Sequence, residues 1–261
     1  VKRIVVAALT VIVFVSIGVV GIWYWGIPDR YVTDRIEGLV VNPVNIKMEG
    51  FTKRPLFKFD VDRVIIKNGD DEIWSVLDVS GGIKPLQLLK GKAVITAAGE
   101  SYGGNVNATI TVSKNEQDAS ISFADIETSE VSYFRSMGFE GKGALSGSLN
   151  YANGKGGLEF VVDGAELKGF SNSGVFVPLD YFHTIRGAVE LLSADSVRIK
   201  SVALSGEGIY VRAKGRIEKG LADLEVEIMP EASFPGSSLL MLIERYKISE
   251  GYYYIPIKRH L

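Results

Sequence analysis

Apolar and polar residues alternate along most of this chain. Val44, Ile46 and Met48 alternate with Asn45, Lys47 and Glu49, and Phe57, Phe59 and Val61 alternate with Lys58, Asp60 and Asp62. Val106, Ala108, Ile110 and Val112 alternate with Asn107, Thr109 and Thr111. A period of two with one apolar face predicts half-buried antiparallel strands. The pattern is sharpest near the C-terminal third. Ile209, Val211, Ala213, Gly215 and Ile217 form one face, with Tyr210, Arg212, Lys214 and Arg216 on the other. Leu224, Val226 and Ile228 then alternate with Asp223, Glu225 and Glu227. A four-residue loop, Glu218 to Leu221, aligns both apolar faces. It sets Arg216 opposite Asp223, Lys214 opposite Glu225, and Arg212 opposite Glu227. Opposite-charge cross-strand pairs contribute roughly 0.2–1 kcal/mol each. A slip of one residue would bring apolar side chains to the charged face, so the pattern also fixes register.

Three short helices are expected between the strands. Pro85 to Lys90 is closed by Gly91, and Ser129 to Met137 by Gly138. Ser237 to Lys247 carries Leu239, Leu242, Ile243 and Tyr246 on one face, with Ser237 or Ser238 as its cap. The strand groups recur only loosely, which does not support a propeller or solenoid of fixed period.

The first thirty residues break the alternation. Lys2 and Arg3 precede an uncharged stretch from Ile4 to Trp25. As a helix it would span about 33 Å, enough for the hydrocarbon core of a bilayer. Trp23, Tyr24 and Trp25 fall where aromatic rings favour the interface, and the basic pair predicts an N-in, C-out orientation. A cleaved signal peptide has a shorter apolar core and a small-residue cleavage site, which Ile22 to Trp25 does not offer. The expected organisation is a transmembrane anchor over residues 1–27 and one mainly β domain over residues 28–261 on the far side of that membrane.

Composition narrows the chemistry. There is no cysteine, so disulfides, thiolate metal sites and thiol nucleophiles are excluded. The formal charge of −2 implies no nucleic-acid partner. His183 and His260 have no partner at metal-ligand spacing. No G-x-S-x-G elbow supports a serine hydrolase. Gly141 with Gly143, and Gly206 with Gly208, lead into strands rather than helices, so they read as hairpin glycines and not as a phosphate cradle. Asp60, Asp62, Asp70, Asp71 and Glu72 read as a solvated face and turn. No catalytic, cofactor or metal-binding residue is expected.

A long sheet with a continuous apolar face must cover it. The pattern allows a closed sandwich with a protein core or an open apolar groove suited to acyl chains. If a groove exists, Ile209, Val211, Ala213, Leu224, Val226 and Ile228 are its expected lining.

Several segments resemble the AsmA-like proteins. Pro55 to Val61 leads to a second strand pair and then to Leu88 to Ile95, with Leu88-Leu89-Lys90-Gly91 as a turn. Tyr102 to Val106 resembles that family's glycine-pair hairpins. Gly143 to Leu149 resembles its recurrent glycine-x-leucine-x-glycine strands. Ile185 to Glu227, containing Leu204 to Gly208 and Lys214 to Ile217, is similar to its C-terminal strands. At this length the chain looks like a compact branch of that grouping, the type II secretion system protein N (GspN) family. The resemblance implies one helix in the bacterial inner membrane, with a cytoplasmic N-terminus, a curved antiparallel sheet and a periplasmic body. It implies a non-enzymatic accessory role in secretion or envelope assembly, through contacts with secretion-machinery or envelope proteins. The wider grouping implies lipid handling, with phospholipid as the partner of the groove.

Overall fold

A computed structural model describes residues 23, 26, 28–37, 44–88, 90–114, 117–136, 140–168, 170–172, 175–177, 179–193 and 195–260. The expected anchor at residues 4–25 lies outside them, apart from Trp23. Among the described residues no helix is long and apolar enough to cross a membrane.

The body is mainly β, with one large curved antiparallel sheet. After α1 (Asp29–Glu37) come β1 (Val44–Glu49), β2 (Thr52–Arg54), β3 (Lys58–Asn68) and β4 (Asp71–Ile83). Helix α2 (Pro85–Leu88) leads to β5 (Ala93–Ser101), β6 (Gly104–Val112) and β7 (Gln117–Glu127). A 3-10 turn (Thr128–Glu130) and α3 (Ser132–Ser136) precede β8 (Gly141–Ala152) and β9 (Lys155–Leu167). A hairpin of β10 (Phe170–Asn172) and β11 (Val175–Val177) interrupts the meander before β12 (Phe182–Ser193), β13 (Ser196–Gly206), β14 (Ile209–Glu218) and β15 (Leu221–Pro230). Helix α4 (Ser237–Ile243), a 3-10 turn (Glu244–Tyr246), β16 (Lys247–Ser249) and β17 (Tyr252–His260) complete the order.

Fifteen strands form the main sheet in the order β1-β3-β4-β5-β6-β7-β8-β9-β12-β13-β14-β15-β17-β16, with β2 paired to β3. The second sheet is only the β10–β11 hairpin. The closed sandwich is therefore not the solution adopted among the described residues. The main sheet bends instead. Register shifts interrupt its ladders between Leu77 and Ser80, between Phe123 and Ile126, and between Lys142 and Ala144. Asp78 and Asp125 have left-handed backbones at the first two. Such bulges bend a strand and increase its twist.

The charged hairpin has the expected register. Arg212 faces Glu227, Lys214 faces Glu225, and Arg216 faces Asp223. Lys214 Nζ lies 3.2 Å from Glu225 and 3.6 Å from Glu227. Arg216 instead pairs with Glu218, and Asp223 with Lys258 of β17. The loop is shorter than expected. Glu218 and Leu221 pair, leaving Lys219-Gly220 as a two-residue turn with both φ positive. A turn of that hand matches strand twist, so the ladder continues to its end.

The helices are shorter than the sequence suggested. Helix α2 stops at Leu88, and Gly91 takes the left-handed conformation beyond it. The segment Thr128–Ser136 divides into a 3-10 turn and one α turn, while Met137 and Gly138 lie outside the described residues. The N-cap of α4 is Gly236, without a side-chain bond, rather than a serine. Its buried stripe runs through Leu239 and Ile243 with Leu240 beside them, whereas Leu242 is 60% exposed. The α conformation gives way to a 3-10 turn at Glu244, and the stripe is rotated away from Leu242. Phe57 also departs from expectation. It occupies the β2–β3 turn rather than a strand, yet it is buried.

Candidate functional site: an apolar groove in the curved sheet

The alternation of β6 through β13 brings large apolar side chains to the concave face. Leu149 faces Leu158, and Leu145 faces Val162. Val162 in turn faces Ile185, which faces Leu204. These residues line a cavity of about 690 Å³ together with Ile66 and Trp74 at one end and Val202 at the other. Two glycines shape its floor. A Cβ on Gly187 would lie 2.1 Å from the Phe160 ring, and one on Gly147 would lie 2.8 Å from the Phe123 ring. The missing side chains let both rings lie down on neighbouring strands, which leaves the space above them open.

The β7–β8 connection closes one long side. Val131, fully buried, packs with Ile126, Leu145, Val162 and Ala165. Phe134 of α3 lines the cavity. Glu127 holds this connection in place. Its carboxylate accepts from Ser129 N at 3.1 Å, Ser129 Oγ at 2.9 Å and Gly143 N at 3.2 Å. Burial works against its charge, but the bonds from Ser129 and Gly143 and the nearby Lys142 outweigh it. The carboxyl is held below its ordinary value.

Polar chemistry is sparse inside. Thr128 lines the cavity, and its Oγ1 is buried without a hydrogen-bond partner. An unmade hydroxyl bond in an apolar surround costs about 1–3 kcal/mol, so this atom is a natural anchor for one polar group of a ligand. Glu140 reaches the rim and pairs with Lys168 at 3.1 Å.

The six residues expected to line a groove stand beside this cavity rather than around it. Ile209 and Ile228 are buried in a cluster with Phe182, Phe234, Leu239, Ile243 and Tyr253. Val211 and Val226 pack against that cluster. Ala213 and Leu224 follow on the same strands, half-buried, with Ala213 facing Val226 and Leu224 facing Gly215. Helix α4 covers this end, so its apolar face is spent on protein core. The sequence signal for the open part was the interleaving of Gly147, Phe160 and Gly187, which only the strand register assembles.

His183 and His260 are exposed on β12 and β17, and no metal-holding cluster occurs among the described residues. Asp60 is ion-paired with Arg54, and Glu72 receives Arg63 Nη2 at 2.7 and 2.9 Å. Gly141 to Gly143 open β8, and Gly208 ends the turn before β14, as hairpin glycines do. Comparisons with family models, with curated proteins and with solved structures returned no match.

Proposed function

We propose that the protein is a membrane-anchored lipid-binding module whose curved sheet takes acyl chains in the concave groove. The observation that carries this reading is the cavity of about 690 Å³ with an almost wholly apolar lining. Small-molecule sites occupy roughly 300–1,000 Å³ and use few polar groups, each of which fixes orientation. Here the single orphaned hydroxyl, on Thr128, suits an ester or carboxyl oxygen at one end of a hydrocarbon chain. Burying a methylene from water is worth about 0.8 kcal/mol, so such a site binds by length of chain rather than by headgroup.

In this reading the apolar stretch at residues 4–25 is the anchor, and it keeps the groove beside the bilayer that supplies the lipid. The AsmA-like resemblance agrees with lipid handling and with a body on the periplasmic side. An accessory role in type II secretion through protein contacts alone would leave the groove without a use, so the lipid reading is preferred.

The test is photo-crosslinking of the reconstituted full chain with a diazirine-bearing fatty acyl phospholipid, followed by peptide mapping. Labels are expected on the strands that carry Leu149, Leu158 and Ile185. Labelling confined to residues 4–25 would sink the proposal.

A further inference from the structure

One corner of the sheet has a surface chemistry unlike the rest. The turn between β2 and β3 and the loop between β4 and β5 sit at the ends of neighbouring strands. Lys58 pairs with Gly82, and Ile83 N donates to Phe57 O at 2.9 Å. Leu56 is 69% exposed at the first loop, and Leu86 is 73% exposed at the second. Leu88 is also exposed. Residues 51–58 and 84–92 contain six basic side chains and no acidic one. Lys53 and Arg54 are held by Asp29 and Asp60. Lys58, Lys84 and Lys90 project into solvent around the leucines.

The backbone presents Leu56 at a cost. Leu56 and Phe57 have φ of 60° and 61°, a pair of left-handed conformations that hairpin turns normally give to asparagine and glycine. Strain of this kind persists where surrounding structure enforces it. Here Phe57 turns inward against Trp23, with ring centroids 5.5 Å apart. Trp23 Nε1 also donates to Arg54 O at 3.1 Å, and the Lys53 ammonium lies 5.4 Å from the centre of the same ring. The tight turn sends Phe57 in and Leu56 out, at the place where the apolar N-terminal stretch meets the body.

We propose that this corner is a bilayer-contact surface, in which Leu56, Leu86 and Leu88 enter the interface and Lys58, Lys84 and Lys90 meet anionic headgroups. Charge complementarity selects this occupant. Each lysine close to an anionic leaflet favours it by roughly fivefold, and long basic side chains keep their charge in the headgroups while their stems cover apolar surface. The corner continues from Trp23, so it faces the bilayer that holds residues 4–25. The inference rests on that part of the anchored reading. It adds a second contact, which would fix the orientation of the sheet on the membrane.

The absence of cysteine allows single labels to be placed cleanly on the full chain. Leu56→Cys, Leu86→Cys, Val13→Cys and Glu207→Cys would each carry an environment-sensitive fluorophore in vesicles of neutral lipid or of neutral lipid mixed with phosphatidylglycerol. Glu207 lies in the turn between the interior strands β13 and β14, at the opposite end of the strands from the two loops. A blue shift and quenching by brominated lipid are expected at 56 and 86, and not at 207. Both signals should strengthen with the anionic lipid. They should weaken in 1 M salt, where the screening length falls to about 3 Å. Lys58→Glu/Lys84→Glu/Lys90→Glu should remove the dependence on anionic lipid. Quenching at 13 with labels at 56 and 86 as wet as at 207 would overturn the corner and leave the anchor standing. Quenching at 56 and 86 without quenching at 13 would support the corner and remove the anchor. Labels at 56 and 86 that are shielded from an aqueous quencher but untouched by brominated lipid would mean a protein covers the corner, which also overturns the proposal.

Discussion

Replacing Gly187 with alanine is a small change with a directed consequence. The new Cβ would lie 2.1, 2.3 and 2.9 Å from Cε1, Cζ and Cδ1 of Phe160. Carbon atoms pack comfortably at about 3.5–4.0 Å, so the ring must retreat by roughly 1.5 Å. Gly187 is fixed by its ladder partners, Phe160 on one side and Val202 on the other, and its backbone is open to any L-residue. The ring moves more easily than the strand, and the space available to it is the cavity. Overpacking of this kind costs about 1–3 kcal/mol. Gly187→Ala should therefore lower the urea midpoint of the full chain and reduce crosslinking of acyl chains to the groove. Phe160→Leu in the same chain should relieve both effects, giving a coupling of about 0.5–3 kcal/mol in a double-mutant cycle. Unchanged stability and unchanged acyl crosslinking in Gly187→Ala would refute the arrangement of the floor. So would a double variant in which the two costs simply add.

Three further outcomes follow from the same geometry. Thr128→Val removes the orphaned hydroxyl and should stabilise lipid-free protein by about 1 kcal/mol, read as a higher urea midpoint; a fall would show that the hydroxyl has a partner. Glu127 is held below its ordinary value of 4.5, so the stability it contributes is present above that pH and is lost as the pH falls through the depressed value. Protection factors at Val131 and Phe134, taken against the intrinsic exchange rate at each pH, should fall in acid, and Glu127→Gln should flatten that dependence and weaken protection at neutral pH. Lys214→Cys/Glu225→Cys should form an intramolecular disulfide on oxidation, because these residues are direct cross-strand neighbours; its absence in folded protein would contradict the register.

The strands were legible because their signal is local. Lys214 and Glu225 find each other through a period of two and a short turn, and a slip of one residue would put charge on the apolar face. The helices were less legible. Leu239, Ile243 and Tyr246 pack as the stripe of a regular helix predicts, but Leu240 takes the place of Leu242, which is exposed. Phe57 fits a strand, yet the turn captured it because Trp23 offers a buried ring on which it can pack.

The groove shows the same division more sharply. Ile209, Val211, Val226 and Ile228 have a strong apolar pattern, and that strength is why the fold covers them with Phe234 and α4. The cavity opens where the pattern is weaker, where Gly147 and Gly187 stand 13 and 27 residues from Phe160 in the chain. By itself the sequence determined the antiparallel meander, the register of its charged hairpin and the absence of thiol chemistry. Each of these depends on neighbours a few residues apart or on composition. Only the tertiary structure decided which apolar surface stays open. That depends on bulges that bend the sheet and on rings that lie over glycines of other strands, and such contacts exist only once the register has brought them together.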